Sequence, residues 1–253
     1  MAMVALSVNL NKIALLRNSR EGNYPNVVDY AAICINAGAD GITVHPRPDQ
    51  RHIRPEDVAA LKNIAVEFNI EGNPFAGACK APRAGLEDYP GFMALVEAAR
   101  PAQATLVPDN STQLTSDHGF DLTHDSARLQ LIIDSLHQMN IRVSLFMDPD
   151  VKQIELAKKI GADRIELYTG PYAEAVLTQK NVEQTFQRYY TAAQFAQQIG
   201  LGLNAGHDLN LINLARFATV PGLLEVSIGH ALTADALIYG MADAVKRYKA
   251  CLA

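Results

Sequence analysis

One short stretch of the chain collects imidazole and guanidinium side chains. The segment "GITVHPRPDQRHIRPEDV", residues 41–58, starts as a β-rich run that ends at His45. A second histidine and three arginines follow between prolines, at Arg47, Arg51, His52 and Arg54. Guanidinium groups bind phosphate through charge-assisted hydrogen bonds, and imidazoles exchange protons near neutral pH. The stretch therefore indicates anion binding next to acid–base chemistry at the end of one strand.

The elements that must position these residues alternate regularly along the chain. Short runs rich in Val, Ile and Leu predict strands, and longer segments with helix start and stop signals predict helices. The predicted strands cover residues 4–10, 41–45, 68–73, 103–108, 141–148, 163–170, 201–206 and 223–229. The predicted helices cover residues 24–38, 54–68, 87–101, 125–140, 149–161, 181–200, 210–218 and 233–252. The less regular stretches 17–24, 74–87, 109–124 and 170–180 all follow strands.

Strict strand–helix alternation predicts an α/β fold with a parallel sheet and crossover helices. Eight such units in 253 residues match the length of a (β/α)8 TIM barrel. The alternative is an open doubly wound sheet, but no G-x-G-x-x-G follows the first strand. Composition does not break anywhere, so residues 1–253 are expected to form a single domain.

Bulk properties exclude several classes of partner. The net charge of −5 gives no basic surface for nucleic acid. Three scattered cysteines without a C-x-x-C pattern indicate a reducing compartment. No apolar run approaches the roughly 20 residues of a membrane helix, and no cleavable leader is evident. We therefore expect a cytoplasmic protein that uses neither nucleic acid nor a membrane.

Acid–base groups recur at the predicted strand ends. Barrel enzymes build their sites from the carboxyl ends of strands, where this chain has His45, Glu71, Glu166 and His207. Partial desolvation moves the pKa values of carboxyl and imidazole groups toward neutrality, which suits general acid–base catalysis. Four such groups together favour a catalytic cup over separate structural roles. For Glu166 alone, an ion pair with Arg164 stays an equal alternative.

Two groups of residues indicate anion sites. "NAGHD" (204–208) and "SIGHALT" (227–233) place glycine beside histidine just before predicted helices, where phosphate binds well. The carboxylate of Asp208 opposes an anion there. The second group is basic and comprises Arg20, Arg47, Arg51, His52 and Arg54. Two anion sites flanking an acid–base cup predict two phosphorylated reactants, or one reactant with two phosphates.

Two other classes stay open on these residues. His45, Glu71, Glu166 and His207 could surround a divalent ion in a metal-dependent hydrolase or aldolase. The first strand, however, lacks the H-x-H pattern of many hydrolase barrels, and no tight ligand spacing appears. The other class is a barrel that binds phosphate esters without turnover.

The motifs in order resemble the pyridoxine 5′-phosphate synthase family. They include "SVNLNKIALLRNSR", "AGADGITVHPRPDQRHI", "FNIEGN", "TLVPDNSTQLTSDHGFDL", "IELYTGPYA", "NAGHDL" and "VSIGHALTADAL". The resemblance implies a (β/α)8 barrel with extra short helices, assembled as dimers into an octamer. It implies condensation of 1-deoxy-D-xylulose 5-phosphate with 3-amino-2-oxopropyl phosphate to pyridoxine 5′-phosphate, phosphate and water. It implies no metal or other cofactor.

The resemblance also assigns roles to individual residues. His45 and Glu71 correspond to proton acceptors, His207 to the proton donor and Glu166 to a transition-state stabiliser. Ligands of the deoxyxylulose phosphate are expected at Arg20, Arg47, His52 and Thr115. Ligands of the amino ketone phosphate are expected at Asn9, Gly229 and His230.

The chain departs from the family pattern at several positions. Asn11 and Lys12 stand where the family has Asp-His, and Asp208 stands where it has glycine. Further departures are Gly72-Asn73 with a longer insertion through about Glu87, Asp109-Asn110, and Tyr168. Asn11, Lys12 and Asp208 are still expected to contact substrate. We expect a diverged subgroup with the same reaction; the alternative is a paralogue that uses a related phosphorylated ketone.

Overall fold

Eight parallel strands close into a barrel in the computed structural model, which describes residues 3–110 and 113–253. Each strand pairs with its neighbours in sequence, and the first pairs with the last. The strands are β1 (Ala5–Asn9), β2 (Gly41–Val44), β3 (Glu67–Gly72), β4 (Gln103–Leu106), β5 (Arg142–Met147), β6 (Arg164–Leu167), β7 (Gly202–Ala205) and β8 (Leu223–Ile228). This closure confirms the predicted (β/α)8 barrel and rejects the open sheet.

Helices follow each strand in the part of the chain that the structure describes. They are α1 (Asn11–Asn18), α2 (Val27–Asn36), α3 (Pro55–Leu61), α4 (Phe92–Ala99), α5 (Leu122–Gln138), α6 (Val151–Lys159), α7 (Gly170–Thr178), α8 (Val182–Gln198), α9 (Leu214–Phe217), α10 (His230–Tyr239) and α11 (Met241–Ala250). None of these helices is long and apolar enough to span a bilayer.

Three helices differ in kind from the sequence prediction. α1 was not predicted, because Leu10 precedes it and no side chain caps its first turn. α7 fills most of the stretch 170–180 that was predicted as irregular; Pro171 in its first turn is a start signal that the sequence did contain. The single helix predicted over 233–252 is two helices, since Gly240 has φ +80° and separates α10 from α11.

Several helix bounds also differ, mostly because of capping. α2 begins later than predicted, because the Asn26 side chain accepts hydrogen bonds from the backbone N–H groups of Val28 and Asp29. α4 begins at Phe92 instead of 87, because Gly91 has φ +100°. α3 and α9 are shorter than predicted, and α5 begins three residues earlier, with Asp121 as its cap. The predicted irregular stretch 109–124 includes 111–112, which lie outside the described residues.

The strands carry aliphatic side chains on the face that packs against the helices. Alternate residues of a strand point to opposite sides, so each barrel strand has one helix-facing set and one interior set. The helix-facing set is almost entirely aliphatic and buried: Leu6, Val8, Ile42, Val44, Ile70, Leu106, Val143, Leu145, Ile165, Leu167, Leu203, Val226 and Ile228. The hydrophobic core therefore lies between the barrel and its helices.

The barrel interior, in contrast, is polar. A middle layer is linked by hydrogen bonds: Ser7 and Thr43 hydroxyls lie 2.7 Å apart, and Asn69 donates to Thr43 and accepts from Thr105. Asn204 Nδ2 donates to Gln103 Oε1 at 3.3 Å, which joins β7 to β4 across the barrel. Bulky branched side chains fill the interior of most such barrels, so this lining is a feature to be explained by function.

Charged residues form the layer nearest the amino ends of the strands. Arg164 Nη1 lies 3.1 Å from Glu225 Oε2, and Arg142 pairs with Glu67. Arg142 Nε also donates to Gln103 at 3.0 Å. The interior thus has an ionic layer, a middle layer of hydroxyl and amide groups, and the open carboxyl end.

A buried ion pair fixes α1 to the first turn of α3. The Arg17 side chain is 1% exposed, and its two Nη atoms lie 2.5 and 2.9 Å from the Asp57 carboxylate. Arg17 also donates to the His52 carbonyl, and Asp57 accepts the Arg54 backbone N–H. The pair therefore determines where α1 and the residues before α3 meet.

We expect Arg17→Leu to lower the free energy of unfolding by about 3–5 kcal/mol, because it leaves the Asp57 carboxylate buried without its cation. Chemical denaturation at fixed protein concentration measures this change. Arg188→Leu on the exposed face of α8 is the matched control, with an expected effect within about 0.5 kcal/mol. Equal effects of the two substitutions would show that the buried pair does not stabilise the fold.

Candidate active site

A cavity of about 380 Å³ opens at the carboxyl ends of the strands. Asparagine, histidine, carboxylate and cationic side chains line most of it, together with Phe146 and Leu114. Apart from Arg20 and Arg54, the predicted site residues line this cavity: Asn9, Asn11, Lys12, His45, Arg47, Arg51, His52, Glu71, Thr115, Glu166, His207, Asp208, Gly229 and His230. The structure thus brings together residues from seven of the eight strand ends or the loops that follow them.

The predicted basic group does not form one cluster. Arg20 is exposed, donates to the Ser19 carbonyl and does not line the cavity. Arg54 lies at the start of α3, close to Glu56 at 3.8 Å. Of this group, Arg47, Arg51 and His52 line the cavity. The sequence places Arg20 after the first strand and the other three arginines after the second, but it does not give the direction of each long side chain.

Arg47 and Arg51 contact the loop after β4. The buried Arg47 guanidinium pairs with the Asp109 carboxylate and donates to the Asn110 and Gln113 carbonyls. Arg51 pairs with Asp49 at 2.5 Å and also donates to the Gln113 carbonyl, at 3.1 Å. Both cations therefore hold this loop at the cavity while presenting positive charge there.

Glu71 stands at the carboxyl end of β3 and is hydrogen-bonded from two other strands. Asn9 Nδ2 donates to its Oε2 at 3.2 Å, and Ser227 Oγ donates to its Oε1 at 3.3 Å. Burial raises the pKa of Glu71 to about 8; the Ser227 hydrogen bond opposes the shift, and the Glu225 and Asp109 charges add to it. Glu71 is therefore largely protonated at neutral pH until a cation enters the cavity.

Glu166 is a second buried carboxyl group in the same cavity. Burial raises its pKa well above the ordinary value, and the charges of Glu71 and Glu225 raise it further. Arg164, two residues earlier on β6, pairs with Glu225 instead. The alternative in which Glu166 is an ion-pair partner of Arg164 is therefore wrong.

His45 lies between the carboxyl groups of Glu71 and Asp109. Its Nδ1 is 4.0 Å from Glu71 Oε2, and its Nε2 is 3.6 Å from Asp109 Oδ2. Its backbone N–H donates to Asn11 Oδ1 at 2.9 Å, which fixes the end of β2 against α1. Burial lowers the pKa of His45, although the Asp109 charge partly opposes this. The imidazole is thus set to accept a proton.

His52 is held as a neutral hydrogen-bond donor. Its Nδ1 accepts the Ile53 backbone N–H at 3.0 Å, which places the ring proton on Nε2. Burial lowers the pKa of His52 well below its ordinary value, and the nearby His45, Arg47 and Lys12 lower it further. A neutral donor next to cations suits binding of a phosphate or hydroxyl oxygen.

His207 is held by a hydroxyl group and two aromatic rings. Thr115 Oγ1 lies 2.8 Å from its Nε2, and the rings of Phe146 and Tyr168 meet it at near-perpendicular angles. Burial lowers the pKa of His207, and Asp208 opposes this shift. Phe146 was not predicted, although the period of two along β5 would have placed it inside the barrel.

The start of α10 gives the cavity an end suited to anions. Gly229, His230 and Ala231 line the cavity, and neither an acidic residue nor a side-chain cap occupies the first turn of α10. A Cβ on Gly229 would lie 3.0 Å from Asn9 Cβ, so the close approach of β1 and α10 favours glycine here. Backbone N–H groups at this position remain available to a phosphate.

Neither His118, in the loop after β4, nor His124, in the first turn of α5, belongs to the site core. His118 and His124 have side chains that are 55% and 82% exposed. Within 3–110 and 113–253, no set of three or more His, Cys, Asp and Glu side chains is arranged to hold a metal ion. The cavity is thus built around acid–base groups and anion contacts.

The fold and the site together define the class of protein: a (β/α)8 barrel that gathers histidine, carboxyl and cationic side chains in one cavity at the carboxyl ends of its strands. The family model described as "Pyridoxal phosphate biosynthesis protein PdxJ" matches residues 6–253. The chain belongs to this family, which confirms the resemblance noted from its motifs.

The sequence of this chain is similar to those of known relatives along almost their whole length. The pyridoxine 5′-phosphate synthase of Xanthomonas campestris pv. campestris (strain B100) is 55% identical over 253 residues, 98% of this chain and 96% of the relative. The protein of the same name from Xylella fastidiosa (strain M12) is 52% identical, covering 96% of this chain and 92% of the relative.

Solved structures with low sequence identity support the fold alone. A tryptophan synthase chain from M. tuberculosis matches with a TM-score of 0.63 at 12% identity, over 99% of this chain and 93% of that chain. The 3-keto-L-gulonate-6-phosphate decarboxylase of Vibrio cholerae matches with a TM-score of 0.59 at 10% identity, over 100% of both chains.

We expect Glu71→Gln to stabilise the fold while it removes activity. A carboxyl group whose pKa rises from 4.5 to about 8 on folding stabilises the protein fully below pH 4.5 and loses this contribution as the pH rises to about 8. The glutamine does not ionise, so the variant gains roughly 3–5 kcal/mol over wild type near pH 8 and little near pH 4.5. Thermal and chemical unfolding across this range measures the gain; a gain that does not change with pH would contradict the raised pKa.

Proposed function

We propose that the chain is a pyridoxine 5′-phosphate synthase. It joins 1-deoxy-D-xylulose 5-phosphate and 3-amino-2-oxopropyl phosphate to form pyridoxine 5′-phosphate, inorganic phosphate and water. The observation that carries the proposal is the convergence of Glu71, His45, Glu166 and His207 on one cavity with an anion-binding group at either side. Family membership and relatives that bear this name support it.

The two phosphorylated substrates take opposite sides of the cavity. The deoxyxylulose phosphate lies against Arg47, His52 and Thr115, where cations and the Nε2–H of His52 can reach its oxygens. The amino ketone phosphate lies at the start of α10, next to Asn9, Gly229 and His230. Asn11, Lys12 and Asp208 border both regions; the Lys12 ammonium contributes attraction for phosphate, whereas Asp208 contacts a hydroxyl or the substrate amine. The exposed Arg20 stays a predicted ligand without a contact to this cavity.

Glu71 and His45 act as proton acceptors. The amino ketone arrives with an ammonium group, and this cation favours the ionised form of Glu71 over the protonated one. Glu71 then takes the proton, and the freed amine attacks the carbonyl carbon of deoxyxylulose phosphate to give an imine. Because the carboxyl group has a raised pKa, its ionised form is a stronger base than an ordinary glutamate. His45 takes up further protons beside it.

Glu166 and His207 complete the sequence of proton transfers. A carboxylate or neutral carboxyl at Glu166 stabilises cationic or protonated intermediates, according to its charge at that step. His207 supplies protons to the oxygen atoms that leave as water, and the rings of Phe146 and Tyr168 hold its imidazole in position. Inorganic phosphate leaves before a carbon–carbon bond closes the ring. These steps use side chains alone.

The protein acts as a homo-oligomer, which the family resemblance predicts as dimers in an octamer. An apolar face supports self-association: Leu237 and Ile238 on α10 are 81% and 75% exposed, and Leu16 on the adjacent α1 is 55% exposed. Apolar faces of this kind mark interfaces. The family resemblance predicts that a second copy of the chain covers this apolar face.

The cytoplasm is the proposed location. Free thiols at Cys34, Cys79 and Cys251 support a reducing environment. Cofactor biosynthesis from small phosphorylated metabolites accords with this location.

Purified protein is expected to form pyridoxine 5′-phosphate from the two named substrates, followed by mass and absorbance. His45→Ala should lower the rate by about 10²-fold or more, since it removes a positioned proton acceptor. His124→Ala removes an exposed histidine and is expected to retain wild-type activity. Absence of product from well-folded wild-type protein would overturn the proposed function.

The double variant Leu237→Glu, Ile238→Glu is expected to sediment as a smaller species than wild type, because four additional charges would face each other in a two-fold interface. Analytical ultracentrifugation measures the mass. Leu131→Glu on α5, which alters a leucine of similar exposure, is the control. An unchanged mass of the double variant would place any interface elsewhere on the surface.

A further inference from the structure

Asp109 is a buried carboxylate that takes no part in the reaction steps proposed above. It follows β4 after Val107 and Pro108, and its side chain is only 4% exposed. Its backbone carbonyl accepts a hydrogen bond from Asn73 Nδ2 at 2.7 Å, which joins the ends of β3 and β4. The carboxylate itself contacts Arg47 and lies 3.6 Å from His45 Nε2. Asp109 is thus fixed next to one of the catalytic candidates.

His45 has a carboxyl group near each of its ring nitrogens. Asp109 is on the Nε2 side, and Glu71 lies 4.0 Å from Nδ1 on the opposite side. Other groups that act on the imidazole electrostatically are Arg47 and His207, which disfavour its charged form, and Asp49, which favours it. The His52 ring lies 6.1 Å away. Asp109 contributes the largest of these charge effects.

We infer that Asp109 is a positioning residue for His45: it orients Nε2 toward itself and leaves Nδ1 facing Glu71 and the substrate cavity. This inference rests on the proposed function, because it concerns the proton transfers of that reaction. A carboxylate that holds an imidazole and stabilises its protonated form is a recurring arrangement in acid–base catalysis. Here it would favour protonation of His45 at Nδ1, on the side of the substrates.

The proton balance uses one ring nitrogen of His45. Glu71 takes a proton from the substrate ammonium group, and His45 Nδ1 takes a second proton from the condensing substrates. The resulting imidazolium is stabilised by the nearby Asp109 carboxylate at Nε2. His45 releases this proton from Nδ1 to water once the product has left, so the Nε2–H stays directed at Asp109 and the ring returns to its starting tautomer.

Asp109 also contacts Arg47. A role through Arg47 and a role through His45 predict different kinetics. If it acted only by holding Arg47, its loss would change binding of the phosphorylated ketose and hence KM. If it acts through His45, its loss lowers kcat and changes the pH profile. A double-mutant cycle with His45 separates the two, because residues that act as a unit are not additive.

The test uses the full-length protein and compares Asp109→Asn, Asp109→Glu, His45→Gln and the double variant. Asp109→Asn should lower kcat by roughly 10–100-fold with less than about a threefold change in KM, and Asp109→Glu should recover most of the loss. The acidic limb of the pH profile should move to lower pH, because the charge that raises the pKa of His45 is gone. In the His45→Gln background, Asp109→Asn should change kcat by less than about twofold.

Two kinetic results would overturn the inference: a change confined to KM, or losses that multiply fully in the double variant. NMR of histidine-labelled protein gives a readout without turnover. The His45 signal, assigned by its absence in His45→Gln, should titrate at lower pH in Asp109→Asn, and an unmoved titration contradicts the inference. If wild-type protein forms no product, the proposed function fails, while this titration still decides the role of Asp109. Asp109→Ser replaces Asp109→Asn if the latter does not fold.

Discussion

The two-residue period of a strand, imposed on a closed barrel of eight strands, is the constraint on which this molecule depends. It sends every second side chain toward the helices and the others into the barrel. The side chains that face the helices are aliphatic and form the core with them. The side chains inside the barrel are therefore not needed to form the hydrophobic core. The interior instead carries linked polar layers, such as the Asn204–Gln103 bond across the barrel, with the reacting groups at its open end.

This division gives the site its electrostatic character. Glu71, Glu166 and Glu225 share one low-dielectric interior, and burial is the largest cause of the raised pKa in each. Arg164 compensates Glu225, whereas Asn9 and Ser227 give Glu71 only neutral hydrogen bonds. Glu71 therefore stays a weak acid that ionises when a cation arrives. The fold gives up stability at this residue, as catalytic sites commonly do.

The barrel and most of the cup could be predicted from the sequence, because alternation and strand-end polarity depend on local patterns. His45, Glu71, Glu166 and His207 lie at strand ends by the same rule that predicts the strands. Other features depend on contacts between distant residues. The pairing of Arg17 with Asp57 fixes α1 against α3, and the direction of each arginine side chain decides that Arg47 and not Arg20 reaches the cavity. The proximity of Asp109 to His45 follows only once β2 and β4 are placed on either side of β3.

We expect the carboxyl group of Glu71 to stay protonated at neutral pH because it is buried. The most direct test is an infrared pH titration of the protonated carboxyl band, taken as the difference between wild type and Glu71→Gln. The account predicts that the Glu71 band disappears with a midpoint near pH 8. A midpoint near 4.5, the ordinary value, would show that the interior does not desolvate this group and would contradict the account.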